Sequence, residues 1–101
     1  MGQSKYPRLT PDEVMANLTK LGFSWKRTTG DHAQYERLPS MKDPKRRVVT
    51  VDTGTTDFGE ALMKSMIGQS GDSREEFYGA TKRTARKAGV VFRRLSIEGE
   101  K

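Results

Sequence analysis

The first regular pattern along the chain is an apolar stripe at helical spacing. Val14, Leu18 and Leu21 recur three or four residues apart, as side chains on one face of a helix do. The Thr-Pro-Asp-Glu stretch just before Val14 supplies an N-cap hydroxyl, a proline for the first helical position and the glutamate of a capping box. Gly22 suits the left-handed conformation that ends many helices. The pattern predicts a helix over residues 10–21.

Beyond this helix the period changes to the alternation that is typical of strands. Residues 23–27 alternate apolar and polar side chains, and a Thr-Gly-Asp turn separates them from residues 32–37. Residues 47–51 are rich in β-branched side chains, which favour strands. The middle segment would place two apolar side chains on one face and three polar ones on the other: Ala33 and Tyr35 against His32, Gln34 and Glu36. We predict a three-stranded antiparallel meander.

Two more helices are predicted after the sheet. Residues 57–60 resemble a capping box with Asp in the Ser/Thr position, and the apolar stripe behind them stops at the Gly-rich residues 68–71. The Ser-Arg-Glu-Glu sequence of residues 73–76 is a third capping box, which opens a helix that should stop at Gly89. Its apolar face is thin, so we expect its basic side to remain in water. Residues 90–95 fit either a short strand or an ordered tail.

The predicted order α-β-β-β-α-α indicates a small α+β domain with its helices on one face of an antiparallel sheet. The other face of such a sheet is open to water, where polar side chains can meet a ligand. A length of 101 residues indicates one domain. Within it we distinguish an N-terminal arm (residues 1–9), a main unit (residues 10–71) and a basic C-terminal helical extension packed on the same domain (residues 72–101).

Charge narrows the choice of partners. The formal net charge is +6, and such a surface attracts polyanions. Residues 82–94 contain six cations and no acid, and a second group of four cations surrounds Asp43. The two groups are Lys82, Arg83, Arg86, Lys87, Arg93 and Arg94, and Lys42, Lys45, Arg46 and Arg47. Two basic clusters flanking one candidate site favour a nucleic acid over a chance excess of charge.

Several classes of site and partner are disfavoured. The chain has no cysteine, so it has neither disulfides nor a thiolate metal site, which fits a reducing cytosol. No apolar run approaches the roughly 20 residues that a membrane-spanning helix needs. Asp31, Asp52 and Asp57 lack metal-ligand spacing and suit turns or caps. We therefore expect a cytoplasmic protein with no metal, no cofactor and no membrane partner.

His32 is the only histidine and the one candidate for acid–base chemistry near neutral pH. An imidazole can take a proton from a ribose 2′-OH, which then attacks the adjacent phosphate without a metal or a protein nucleophile. General base catalysis of this kind contributes roughly 10²–10⁴-fold. Lys26, Arg27 and Arg47, on neighbouring strands, are candidates to stabilise the phosphate charge. A lone histidine near a turn is more often an ordinary solvated residue, so position alone leaves both interpretations open. Trp25 has two interpretations as well, a core residue or, less often, a stacking surface for a base.

Four segments, in their order and spacing, carry a resemblance to a known family. They are Leu-Thr-Lys-Leu-Gly-Phe at residues 18–23, Gly-Asp-His at residues 30–32 with Tyr35 after it, Arg-Val-Val-Thr-Val at residues 47–51, and LMKSMIGQSG at residues 62–71. Together they resemble the HicA toxins, which are small mRNA interferases of bacterial toxin–antitoxin pairs. The resemblance covers about residues 10–71.

The resemblance implies an α-β-β-β-α sandwich like that of double-stranded-RNA-binding domains, here with an extra C-terminal helix. It also implies metal-independent endoribonuclease cleavage of mRNA by His32 as general base and acid, and neutralisation by a cognate antitoxin protein. The chain departs from the family at Asp31, where Ser or Thr is usual, and at Asp52, where many relatives carry Pro and then a further His. Residues 72–101 extend beyond the usual end.

Three functions remain open from the sequence. The first is the endoribonuclease toxin, and the second is a non-catalytic RNA-binding module of the same fold. The third is a structural or partner-docking protein of a phage or mobile element with little affinity for RNA. The predicted RNA-binding residues are Lys26, Arg27, Arg47, Lys82, Arg86, Arg93 and Arg94.

Overall fold

The computed structural model describes residues 5–93. Along them lie α1 (Pro11–Lys20), β1 (Ser24–Thr29), β2 (His32–Arg37), β3 (Arg47–Asp52), α2 (Glu60–Ser70), α3 (Arg74–Tyr78) and α4 (Lys82–Ala88). The strands form one antiparallel sheet in the order β1-β2-β3, as predicted. The chain is thus a small α+β domain. The helices pack mainly against β3, whereas β1 is exposed along most of its length.

Two of the three predicted capping boxes are present. In the first, the Glu13 backbone N–H donates to Thr10 Oγ1 at 3.2 Å, and the Thr10 N–H donates to Glu13 Oε1 at 2.9 Å. Ser73 and Glu76 exchange the same pair of bonds at the start of α3. Each box satisfies two N–H groups that the first turn of a helix leaves unpaired, which explains where these helices begin.

The capping box predicted at Asp57 is wrong. The N-cap of α2 is Gly59, and no side chain caps this helix. Asp57 instead accepts a hydrogen bond at 2.8 Å from Arg8 Nη1, a residue that lies far from it in sequence. The predicted stop of α2 is confirmed, because the helix ends at Ser70 with Gly71 in the left-handed conformation.

The single helix predicted from Ser73 to Gly89 is divided into α3 and α4. Gly79 lies at the break, where a Cβ would come within 2.6 Å of the Val91 carbonyl oxygen, so only glycine fits. The Arg93 N–H donates to the Gly79 carbonyl at 2.8 Å, which holds residues 90–93 against the break without forming a strand. The predicted end is confirmed, since Gly89 caps α4 with φ +70°.

The core lies between the inner face of the sheet and the helices. Its buried members lie on α1, β3, α2 and α3 or in the segments next to them: Leu9, Val14, Leu18, Phe23, Val49, Val51, Phe58, Met63, Met66, Ile67, Phe77 and Tyr78. Leu9 is fully buried and pairs with Phe58 through an isolated bridge. Phe77 and Tyr78, beyond the segment that resembles HicA, are also fully buried, so α3 contributes to the same core.

A buried amide joins α1 to α3 and α4. Asn17 Nδ2 donates to the Phe77 carbonyl and to Thr84 Oγ1, both at 2.9 Å. Its Oδ1 accepts from Thr81 Oγ1 at 2.9 Å. A buried amide would be costly without partners, and here both its nitrogen and its oxygen are satisfied. This contact fixes the orientation of the basic helix α4 against α1.

Candidate functional site

His32 opens β2 on the face of the sheet that the helices leave uncovered. It pairs with Thr29 of β1 on one side and with Asp52 of β3 on the other. The side chain is exposed, whereas the next residue, Ala33, is 3% exposed and lies opposite the buried Val51. The predicted alternation of β2 is therefore confirmed, and a phosphodiester can reach the imidazole.

Two carboxylates flank His32. Asp31 precedes it in the turn, and its carbonyl accepts bonds from the N–H and Oγ1 of Thr53 at 2.7 and 3.1 Å. Asp52 lies directly across from His32 on β3, and its Oδ1 accepts from the Gly54 N–H at 2.9 Å. Within residues 5–93 the imidazole makes no hydrogen bond or ion pair. Its position is set by the backbone pairing of β2, and the residue is exposed.

Lys26 and Arg27 lie farther along the same face. The register of β1 shifts between Trp25 and Arg27, so that an extra residue bulges where Arg27 pairs with Gln34. Lys26 Nζ is 3.9 Å from Glu36 Oε2.

Arg46 also binds Glu36, through its Nε. The hydrogen bond from Arg46 lowers the pKa of Glu36, and the charges of Lys26 and Arg27 lower it further. We call these four residues, Lys26, Arg27, Glu36 and Arg46, the Glu36 cluster. Within this cluster three cations surround one carboxylate, so the cluster itself is positively charged, whereas the His32 end of the same face carries Asp31 and Asp52. Arg27 pairs with a residue two positions from His32 along β2, roughly 7 Å away.

Arg47 lies at the other end of the sheet. It pairs with Arg37, while His32 pairs with Asp52 five residues farther along β3, which separates the two by roughly 17 Å. Arg47 Nε and Nη2 donate to Asp43 at 2.9 and 3.2 Å. The guanidinium also packs so closely on Gly71 that a Cβ there would lie 2.6 Å from Cζ. The structure does not bring Arg47 and His32 into one site.

Arg37 is a central residue that the sequence analysis missed. Its Nη1 donates to the Leu21 carbonyl at 3.0 Å and its Nη2 to the Ser70 carbonyl at 2.9 Å, at the ends of α1 and α2. The same guanidinium pairs with Asp43 at 2.8 Å and with Asp72 at 3.2 Å. The alternation of β2 gave the available signal, because it places Arg37 on the inner face with Ala33.

The pKa values of Asp43 and Asp72 shift in opposite directions. Hydrogen bonds from Arg47 and then Arg37 hold the pKa of Asp43 well below its usual range. Burial raises the pKa of Asp72, although Arg37 opposes that shift. We call Arg37, Asp43, Arg47 and Asp72 the Arg37 network. It ties the loop between β2 and β3 to the ends of two helices, which is a structural role.

The described cations that were predicted in the C-terminal segment, Lys82, Arg86 and Arg93, lie on the helical side of the sheet. Lys82 and Arg86 are exposed on α4, and Lys82 Nζ lies 5.9 Å from the centre of the Phe92 ring. Arg93 is exposed beyond α4, and Arg94 lies outside the described residues. Because α4 packs through α3 and α1, its cations Lys82 and Arg86 lie on the opposite side of the sheet from His32. The molecule therefore has two separate basic surfaces.

Trp25, expected more often in the core, is 59% exposed. It pairs with Tyr35 and so points to the inner face of the sheet. The helices pack mainly on β3, however, and leave the inner face of β1 uncovered. The indole Nε1 donates to Thr28 Oγ1 at 2.8 Å.

No protein-family model matches the chain, and no curated protein matches it. Among residues 5–93, no cluster of three or more His, Asp or Glu side chains is placed to hold a metal ion. In the same part of the chain, no helix has the length and apolar character needed to cross a membrane.

Proposed function

We propose that the protein is a metal-independent endoribonuclease, an mRNA interferase toxin of the HicA type, and that His32 is its catalytic residue. The observation that carries the proposal is the exposed imidazole at the start of β2, on the face of the sheet that carries the Glu36 cluster. An α-β-β-β-α order with the helices on one face also agrees with the double-stranded-RNA-binding-like arrangement that the resemblance implies. The expected site of action is the cytoplasm.

The proposed reaction uses the nucleophile that RNA carries. The imidazole of His32 removes the proton of a ribose 2′-OH, and the oxygen attacks the adjacent phosphorus. The bond from phosphorus to the 5′ oxygen breaks, which leaves a 2′,3′-cyclic phosphate on one fragment and a 5′-OH on the other. The imidazolium or water returns a proton to the leaving oxygen. Arg27, on the same face, is the nearest of the predicted cations along the sheet and stabilises the phosphate charge.

Cleavage in EDTA by matched variants tests this function. The chain, His32→Ala and Gln34→Ala are incubated separately with a mixed-sequence single-stranded RNA. Gln34 is the next outward-facing residue of β2, so its variant controls for loss of a polar side chain from that face. We expect the chain and Gln34→Ala to cleave, and His32→Ala to be slower by at least about 100-fold. Equal cleavage by His32→Ala would remove that residue from the mechanism.

The biological role is a separate question from the chemistry. A toxin that cleaves mRNA should arrest growth when it is expressed in bacteria, and His32→Ala expressed to the same level should not. We further propose that a cognate antitoxin protein binds the open face and blocks His32. Growth arrest that is equal for both proteins would contradict the toxin role even if RNA cleavage occurs in the test tube.

A second function, an RNA-binding module without catalysis, is favoured by one specific observation. Asp31 and Asp52 flank His32, and their negative charge opposes the approach of a phosphate. The exposed cations Lys82 and Arg86 on α4 belong to a run, residues 82–94, that contains no acidic residue, although Arg93 lies near Glu75. RNA that is bound at low salt but not cut by the chain in any sequence context would favour this function.

A further inference from the structure

The only tryptophan of the chain lies where the proposed cleavage reaction does not use it. Trp25 is in β1, the outer strand of the sheet, and its indole is 59% exposed on the uncovered part of the inner face. It is among the largest apolar side chains that the described residues expose. An indole that is exposed at this position contributes little to the core, which favours a role in binding a ligand.

The indole is also oriented before any ligand arrives. Its one polar atom, Nε1, donates to Thr28 Oγ1 at 2.8 Å, three residues along the same strand. Because this bond uses the polar atom at the edge of the ring, the π faces remain for contact with a ligand. A ring that is already held loses little conformational freedom on binding, and that loss is one of the main costs of association.

Charge identifies the kind of ligand. Strand β1 contains Lys26 and Arg27 directly after Trp25 and contains no acidic residue. Lys26 is only loosely paired, at 3.9 Å from Glu36, and Arg27 is exposed. Proteins bind single-stranded nucleic acid with aromatic rings that stack on the bases and cations that contact the phosphates. Here the ring and the cations lie on opposite faces of the edge strand β1, so a single strand must cross that edge to contact both. In a duplex the faces of the bases are already stacked on each other, so the ring selects an unpaired base.

The same strand can contact both Trp25 and His32. Trp25 and the catalytic candidate are on opposite faces of the sheet, but β1 forms its edge. Thr29, which pairs with His32, is four residues from Trp25, or roughly 13 Å along β1. An extended RNA that crosses the edge of β1 therefore passes the cations of the bulge on its way from the indole to the imidazole.

We propose that Trp25 binds single-stranded RNA by stacking on an unpaired base, with the neighbouring phosphates against Lys26 and Arg27. The proposal rests on the proposed function in that the RNA is the same substrate. It adds that the substrate must be unpaired beside the cleavage position, and it assigns that selection to one side chain.

Because Trp25 is the sole tryptophan, its fluorescence reports this contact directly. His32→Ala protein, which prevents cleavage, is titrated with an unlabelled single-stranded RNA of about 12 nucleotides and with the same sequence as a duplex. Fluorescence polarisation of a dye-labelled copy measures binding independently of the tryptophan. We expect strong quenching by the single strand and little by the duplex at equal occupancy.

Substitutions then measure the contribution of the ring. We expect Trp25→Leu to weaken single-strand binding about tenfold or more, and Trp25→Phe, which keeps a smaller ring, to weaken it less. Leu62→Ala is the matched control, because it removes another exposed apolar side chain, 54% exposed, from α2. Circular dichroism verifies that each variant is folded.

The outcomes separate this inference from the proposed function. Polarisation that shows binding, with unchanged tryptophan fluorescence and an unaffected Trp25→Leu variant, would overturn the role of Trp25 and leave the nuclease proposal intact. Absence of RNA binding at low salt would overturn both. A fluorescence change that depends on protein concentration alone, together with a dimer in sedimentation, would assign Trp25 to an interface between copies of the chain instead.

Discussion

Asp31 shows how one residue next to a catalytic candidate can modulate it. Its carbonyl is engaged by Thr53, but its carboxylate makes no hydrogen bond within residues 5–93 and lies in an exposed turn. To orient the imidazole of His32, the carboxylate of Asp31 would have to form a hydrogen bond or an ion pair with it. The free carboxylate instead acts mainly through its charge, which opposes the approach of a phosphate to His32.

Asp31→Asn should therefore increase kcat/KM for RNA cleavage by a few-fold at low ionic strength. The gain should shrink as salt screens the remaining charges. Asp12→Asn makes the same change of charge on an exposed residue of α1 and should have a smaller effect. Loss of activity in Asp31→Asn, with Asp12→Asn unaffected, would show that the carboxylate assists the imidazole instead.

At the scale of elements, the Arg37 network makes the packing of the sheet on α1 and α2 dependent on pH. The pKa of Asp43 is lowered in the folded state by hydrogen bonds from Arg47 and Arg37, so its contribution to stability is complete above the usual Asp value of about 3.9. That contribution is lost as the pH falls below this value. Asp72 acts in the opposite direction, because burial raises its pKa, and its protonation relieves part of the cost. The larger shift at Asp43 decides the net sign.

We expect the melting temperature to fall between about pH 4 and pH 2, and Asp43→Asn to be less stable at neutral pH but less sensitive to acid. Asp57→Asn serves as the control, since it removes a carboxylate from an exposed pair with Arg8. Thermal unfolding followed by circular dichroism across this range provides the measurement. If the melting temperature falls with pH as steeply in Asp43→Asn as in the unmodified chain, Asp43 is not the source of the acid sensitivity.

Local sequence predicted the elements well where a local interaction decides them. The helix starts at Thr10 and Ser73 follow from capping boxes, and the outward position of His32 follows from alternation. Long-range contacts account for the failures. Asp57 binds Arg8 instead of capping α2, and the carbonyl of Val91 against Gly79 accompanies the break between α3 and α4.

The candidate site was predictable only in part for the same reason. The face on which His32 lies follows from a period of two, but the depth of helical cover over each strand depends on packing. The exposed position of Trp25 and the burial of Asn17 between three helices both arise from that packing. The register of β2 with β3, which places Arg47 far from His32, is likewise a property of the assembled sheet.

On the scale of the whole molecule, the described residues form two cationic groups, Lys26 and Arg27 on β1 and Lys82 and Arg86 on α4, in a chain whose net charge is +6. If the open face binds the RNA that is cleaved, a Lys26→Gln/Arg27→Gln double variant should weaken the salt dependence of binding. The negative slope of log affinity against log salt concentration should become shallower by about 1.4. The double variant should also slow cleavage. Lys82→Gln/Arg86→Gln removes the same charge from α4 and should leave cleavage nearly unchanged.

Binding that depends on α4 and is indifferent to β1 would move the RNA to the helical side, and without cleavage it would favour the non-catalytic module. Cleavage that depends on α4 and not on β1 would contradict the assignment of the cleaved RNA to the open face. Equal effects of the two double variants would indicate that only overall charge matters. Measuring binding over a range of salt concentrations separates these outcomes, because a general electrostatic effect disappears with screening in both variants alike.

In the proposed reaction, His32 makes the ribose 2′-OH attack its own phosphate. The most direct test uses an RNA that the chain cuts at one position and the same RNA with a single 2′-deoxy nucleotide on the 5′ side of that cut. We expect equal binding of both, cleavage of the unmodified RNA alone, and a 2′,3′-cyclic phosphate on its 5′ fragment by mass spectrometry. Cleavage of the 2′-deoxy RNA at the same bond, or products that end in a 3′-OH, would contradict the proposed reaction.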